Sequence, residues 1–213
     1  MSEQLNPEPR LLLASASWGR TKVLSDAGIM FTTQVSEVDE DAVLAAAVDR
    51  DGDQSPAQTA LLLARAKAEN VAQAGQPDGT VVLGCDSVFE LDGVAYGKPH
   101  TAQVARERWQ QLSGATGILH SGHWLIDTAD PAQARGQVSS TVVHFSTVSD
   151  AEIEAYVASG EPLPCAGAFT IDGLAAAFIE SIEGNFQNVV GLDVFVLRGL
   201  LAQAGISLVD LWK

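Results

Sequence analysis

The run Val81-Val82-Leu83-Gly84-Cys85-Asp86-Ser87-Val88 constrains this chain more than any other. Val81 to Gly84 is a short apolar, β-rich segment and reads as a buried strand that ends in a carboxylate, Asp86. A charge at the end of a core strand is costly unless a partner or a metal answers it. Leu91-Asp92-Gly93 supplies a turn, and the returning segment Tyr96-Gly97-Lys98-Pro99 is expected to bring an ammonium group toward Asp86. A carboxylate and a lysine together suit metal-assisted chemistry on a phosphate ester. They equally describe a plain ion pair at a hairpin end, and these two residues alone leave both readings open.

Strands and helices alternate around this segment. Leu11–Ala14 reads as a first buried strand that turns at Ser15-Ala16-Ser17 into a helix over Thr21–Ala27, stopped by Gly28. Phe31–Val35 follows as a strand, then the acidic cluster Glu37–Asp41, and later a polar break over Asp49–Ser55. A long helix is expected from Pro56 to about Ala74, with Leu62, Ala66, Ala68 and Val71 at helical spacing and Gly75 beyond its end. Ala102–Leu112 is the next helix. Gly117–Ile126 and Gln137–Phe145 are strands, the latter alternating Val and Thr, separated by a polar loop over Asp130–Arg135. Ser149-Asp150-Ala151-Glu152 is a capping box opening a helix to about Ala158. After a loop over Gly160–Gly167, strands are expected at Ala168–Ile171 and Ala175–Ile182, and a last helix over Leu192–Ala204. This order predicts an α/β fold, a mixed twisted sheet flanked by helices. The 213 residues are assigned to one domain over residues 10–213, behind a disordered lead of residues 1–9.

The net charge of −15 argues against a nucleic-acid polymer or a membrane surface as partner. A small anionic ligand would need a local pocket built from the few cations available, 12 Lys and Arg in all, with a divalent ion beside them. Cys85 and Cys165 are too few for a disulfide framework and lack metal-ligand spacing. Met1–Pro9 has no signal- or transit-peptide pattern, and no apolar run reaches bilayer length, so a cytoplasmic location is expected.

Several side chains are candidates for chemistry. The turn Ser15-Ala16-Ser17 and the helix start behind it can hold a phosphate, with Arg20 in support. Most such junctions hold nothing. Lys67 lies on a helix among small residues that would let it pack close to the sheet, although a surface lysine is the usual case. His120 and His123, three apart in a strand, point to opposite faces and cannot share an ion. Oxygen ligands and Mg²⁺ or Mn²⁺ suit this composition better than zinc. Cys85, adjacent to Asp86, is expected to face away from it.

Leu12–Arg20, Val38-Asp39-Glu40, Ala64–Ala72, Gly84–Val88, Gly97-Lys98-Pro99, Ser113-Gly114, Tyr156–Gly173 and Ile182-Glu183-Gly184 with Asn188–Leu192 resemble, in order and spacing, the Maf family of nucleotide pyrophosphatases. The resemblance runs from Leu11 to Leu201. It implies an elongated mixed sheet in two lobes around a central cleft, as in inosine-triphosphate pyrophosphatases. It further implies hydrolysis of a nucleoside triphosphate to monophosphate and pyrophosphate with a divalent cation, Mg²⁺ or Mn²⁺, in proteins that often dimerise. Carried onto this chain, it makes Asp86 the proton acceptor and a metal ligand, with Glu40 as second ligand. Arg20, Lys67 and Lys98 would contact the triphosphate, Lys98 counted with Asp86 as catalytic, while Ser15 and Ser17 would add hydrogen bonds.

The chain also departs from that pattern. Thr21 stands where many relatives carry a second arginine. Pro164-Cys165-Ala166-Gly167 replaces the Asp-Lys-Ala-Gly of the branch acting on thymidine and uridine triphosphates, and a cysteine there resembles the 7-methyl-GTP branch. Asp172 replaces that first branch's base-reading glutamine. A carboxylate accepts hydrogen bonds only, which suits the N1–H and N2–H₂ of guanine and opposes O4 of uracil. Gly19 and Ser87 occupy the other positions linked to base choice. A positive 7-methylguanine ring could stack on Trp18. The substrate expected is therefore a modified or non-standard nucleotide such as 7-methyl-GTP. The competing reading is a nucleotide-binding regulator of cell division with weakened catalysis.

Overall fold

Leu11, Leu12 and Leu13 are buried on both faces and form β1 (Leu11–Leu13), as a run of branched apolar residues does in the middle of a sheet. The computed structural model describes residues 10–213; the lead expected to be disordered, residues 1–9, lies outside the described residues. The elements that follow are α1 (Trp18–Asp26), β2 (Phe31–Thr33), α2 (Glu40–Asp51), α3 (Pro56–Gln73), β3 (Val81–Leu91), β4 (Val94–Tyr96) and α4 (Ala102–Leu112). Then come β5 (Thr116–Asp127), β6 (Arg135–Phe145), α5 (Asp150–Ala158), β7 (Ile179–Glu183), α6 (Phe186–Val190) and α7 (Val194–Gln203). The strands make one seven-stranded sheet in the order β2-β1-β3-β5-β6-β7, with β4 added to β3. β1 is parallel to β2 and β3, and the remaining pairings are antiparallel. A mixed sheet flanked by helices is what the alternation of elements predicts.

β3 is the axis of the fold, and its two ends have different neighbours. β1 pairs with it only along Val81–Leu83, and β4 only along Phe89–Leu91. Past the bond from Ala14 N–H to the Leu83 carbonyl, that edge has no strand beside it until Phe89. Strand alternation sends Cys85 into the core formed with α1 and α7 (Leu24, Leu83, Leu192, Leu197). The other end of β3 feeds a second core, in which Trp109 of α4 meets Phe145, Tyr156 and Phe178 edge-on at 5.1–5.8 Å. Trp109 also donates to the Ala168 carbonyl at 2.7 Å, so its polar edge is satisfied where its rings are buried. Val190 packs against both cores.

α3 covers the opposite face through a third core that includes Ala68, Val71 and Val82. The capping box at Ser55 and Gln58, with Pro56 at the first position, fixes where this helix begins. Its backbone rests directly on glycine. A Cβ on Gly84 would lie 2.1 Å from the Ala64 carbonyl oxygen, and one on Gly122 would lie 2.3 Å from that of Ala60.

The structure corrects several expectations. The strand through Val81 does not end at Asp86 but runs to Leu91, because β5 stays paired with it from Val81 to Glu90. The Asp92-Gly93 turn forms as expected, with both φ angles positive. Helix α1 opens at Trp18, three residues before Thr21, since Ser17 is its cap. The region between the acidic cluster and the polar break is helix α2, capped by Asp39, whose carboxylate accepts from Ala42 N–H. Ala168–Ile171 forms no strand, and Leu174–Phe178 is a 3₁₀ helix before strand β7. Substituting Gly84 by alanine is expected to destabilise the fold by about 1–3 kcal/mol or more, because the helix backbone must lift off the strand. Chemical denaturation of the variant checks this.

Candidate active site

Along the open edge of β3, residues on both faces of that strand carry the candidate polar groups. Asp86 lies on the α3 side, like Gly84 two residues before it. The glycine floor lets α3 sit low enough for Lys67 Nζ to reach Asp86 Oδ1 at 2.5 Å. Glu40, in the first turn of α2, meets the same ammonium at 2.8 Å. Both Asp86 and Lys67 are largely buried, whereas the Glu40 side chain is half exposed. Burial pushes the Asp86 carboxyl above the ordinary carboxylate range, against the opposing pull of Lys67 and Arg20.

Ser87 points to the other face and meets the first loop. Arg20 of α1 is buried, and its guanidinium donates to the Gly191 carbonyl at 3.0 Å, Ser15 Oγ at 2.9 Å and Ser87 Oγ at 3.3 Å. Ser15 Oγ also accepts from Ser17 N–H at 3.1 Å. Ser17 caps α1 by position, but its hydroxyl makes no capping bond. Ser87 and Ser121 exchange a hydrogen bond at 2.9 Å, and Ser121 donates to the Asn188 carbonyl at 3.1 Å. All three partners of Arg20 are neutral, and among the described residues no carboxylate pairs with it.

None of the remaining sequence candidates bonds Asp86, Lys67 or Arg20 through its side chain, except Ser15 and Ser87 already described. Lys98 does not pair with Asp86; it is exposed in a loop braced by Arg108, which bonds the Gly97 carbonyl and stacks over Tyr96. Asp172 is exposed on a turn and makes no hydrogen bond among the described residues, yet its charge adds to that of Asp26 in raising Lys22 of α1. Gly19 serves packing, since a Cβ there would lie 2.8 Å from the Val190 carbonyl oxygen. Trp18 is 69% exposed. Cys85 is inert, its thiol pushed up to about 12 by burial, and burial raises Cys165 to about 11. His120 and His123 serve different partners: His120 bonds Glu90 and Ser140, whereas His123 accepts from Asp193 N–H.

Sequence reasoning assigned no role to Ser121, Asn188 or Gly191. The last two belong to a quoted motif, but Ser121 comes to Ser87 only through strand register.

No group of three or more His, Cys, Asp and Glu side chains converges among the described residues, so the chain does not build a closed metal centre. Glu40 and Asp86 nonetheless converge on one point, which the Lys67 ammonium fills, and with both ionised their charge exceeds that of Lys67 by one, so a second cation would share their oxygens with Lys67. An all-oxygen pair with excess negative charge fits a hard divalent ion whose other ligands come from water or phosphate.

Because its folded pKa lies above the ordinary value, Asp86 binds its proton more tightly folded than unfolded. Stability is therefore lost as pH rises from the ordinary carboxylate range through that raised pKa. Asp86→Asn is expected to raise the thermal midpoint of the nucleotide-free protein at pH 8, with the gain vanishing at low pH. Melting curves across pH test this.

The family model described as "Maf-like protein" matches residues 10–204. The nucleoside triphosphate pyrophosphatase of Leifsonia xyli subsp. xyli is 49% identical over 208 residues, covering 96% of this chain and 97% of that protein. The protein of the same name from Streptomyces coelicolor is 47% identical over 210 residues, 98% of each chain. Among solved structures, the Staphylococcus aureus Ham1 protein aligns with a TM-score of 0.38 and 14% identity over 64% of this chain and 71% of that one.

Proposed function

The chain belongs to the Maf-like protein family, and we propose that it hydrolyses a nucleoside triphosphate to the nucleoside monophosphate and pyrophosphate. One observation carries the reading: two clusters of opposite sign meet at consecutive residues of β3, one on Asp86 and one on Ser87. Arg20 is buried against neutral acceptors only, and a cationic group so placed is destabilising until an anion meets it. The Asp86–Lys67–Glu40 cluster holds excess negative charge and a carboxylate with a raised pKa. An anionic substrate and a proton acceptor are what hydrolysis of a phosphoanhydride requires.

In this reading Arg20 and Ser17, with the α1 N-terminus, hold the phosphates, and Ser15 sets the angle of the guanidinium. Asp86 takes the proton from the water attacking the α-phosphorus, and its raised pKa brings it closer to the pH at which a base works best. Lys67 favours the ionised form of Asp86 against burial and faces charge that develops on the departing pyrophosphate, and exposed Lys98 is assigned to the same charge. Mg²⁺ or Mn²⁺ at Glu40 and Asp86 would, when bound, neutralise phosphate oxygens and acidify the attacking water.

The base is proposed to be guanine-like, as in 7-methyl-GTP. Asp172 is a free acceptor-only group suited to N1–H and N2–H₂, and exposed Trp18 offers a face to a positive ring. Gly19 and Ser87 contribute indirectly, one by close packing and the other by holding Arg20.

The test is pyrophosphate release with Mg²⁺ or Mn²⁺ across GTP, 7-methyl-GTP, UTP, dTTP and CTP. A guanine nucleotide is expected to lead, with pyrophosphate and not orthophosphate as first product. Asp86→Asn is expected to lower kcat by roughly 10²–10⁴-fold. Nucleotide binding with no turnover under either metal would overturn the enzymatic reading, and a leading pyrimidine would overturn the choice of base.

A further inference from the structure

Glu161, outside the catalytic cleft, draws an unusual set of donors onto one carboxylate. Tyr156 Oη donates to it at 3.0 Å, Thr170 Oγ1 at 2.5 Å, and the backbone N–H groups of Leu174 and Ala175 at 2.9 and 3.4 Å. The last two open the 3₁₀ helix Leu174–Phe178, whose N-terminal position is Gly173 and so offers no side chain to cap them. Glu161 caps that helix from a distance. The space it occupies dictates the glycine: a Cβ on Gly173 would lie 2.7 Å from both Glu161 oxygens and 2.3 Å from Thr170 Oγ1. Burial alone would raise Glu161, but its donors outweigh burial and hold the carboxyl below its usual range. On the inner side the chain of contacts ends in rigid core, for the ring of buried Tyr156 packs edge-on against Trp109 at 5.1 Å and Phe178 at 6.0 Å.

Asp172 lies midway between the two segments that Glu161 ties down, Thr170 on one side and Leu174 on the other. It has no hydrogen bond of its own among the described residues, so the turn fixes where it stands, near enough to α1 for its charge to reach Lys22. We propose that Glu161 is a positioning residue for base selection, clamping the turn that presents Asp172 and thereby setting which nucleotide the cleft prefers. The inference rests on the proposal that Asp172 reads the base.

The experiment is a double-mutant cycle on kcat/KM for 7-methyl-GTP relative to UTP, with Asp172→Ala, Glu161→Gln and both together. Glu161→Gln is expected to raise KM for the preferred nucleotide and to reduce the preference roughly fivefold or more, the loss falling on KM rather than kcat. In the Asp172→Ala background the same change is expected to have no further effect on the preference. Tyr156→Phe removes one donor while leaving the aromatic core filled, and is expected to shift the preference the same way with the thermal midpoint retained. If Asp172→Ala leaves the preference intact, the base-reading role itself fails. If Asp172→Ala abolishes it while Glu161→Gln and Tyr156→Phe leave it intact, or act additively, Glu161 is a structural cap and the clamp is overturned.

Discussion

The bond between Lys67 and Asp86 is the contact on which the site is built, and it exists because two strands carry glycine. A carboxylate in the middle of a core strand requires a cation close by. The nearest source is a helix lying across the sheet, and a helix packed on ordinary side chains would stand too far off for its flank to reach the strand. Gly84 and Gly122 remove that layer, so the backbone of α3 at Ala60 and Ala64 rests on the sheet and Lys67 comes level with Asp86. α2 then adds Glu40 to the same ammonium from the far side. Sheet, two helices and site are one packing arrangement.

The second constraint is a missing stretch of strand. β1 leaves β3 at Leu83 and β4 joins it only from Phe89, so the edge between them is open. Consecutive residues of a strand normally serve opposite faces. Here Asp86 and Ser87 do so at the open edge, which is how a carboxylate held by α3 and an arginine held by α1 come within electrostatic reach. Arg20 has no carboxylate in hydrogen-bond contact among the described residues, and its charge reaches Asp86 only at longer range. Such arrangements lower stability in exchange for function, and their persistence in an otherwise well-packed interior is an argument for a ligand.

Where the sequence carried local signals, the fold was legible in it. The Ser149 capping box, the helix start at Pro56, the Asp92-Gly93 turn and the buried runs at Leu11 and Val81 all form as their chemistry dictates. α2 carries Asp39, Glu40, Asp41 and Arg50 where a capped helix prefers them, yet a run of acids reads equally as a solvated loop, so the sequence alone does not mark this helix. Ala168–Ile171 was misread because a short apolar run does not distinguish a strand from a packed loop. In the site, Asp86 stood out by itself, but its partner did not. Lys98 was favoured by the turn that returns the chain, whereas Lys67 looked like a surface lysine. The glycines that bring Lys67 inward lie on other elements, so only tertiary structure joins them.

The charge balance of the cleft bears on how the proposed substrate would bind. Arg20 spends three of its five N–H groups on Gly191, Ser15 and Ser87, leaving two for a ligand. Thr21, where a second guanidinium is often found, turns its hydroxyl back onto the Trp18 carbonyl and adds no charge. Lys67 is more than offset by two carboxylates. A polyanion entering alone would thus be attracted by Arg20 and repelled by the cluster beside it, while a divalent cation entering alone would meet only two protein ligands. Each supplies what the other lacks, so on the proposed reading nucleotide and metal bind with positive coupling, each tightening the other by the same factor. That reciprocity follows from the excess of carboxylate over ammonium on the α3 side of β3 when Asp86 and Glu40 are both ionised.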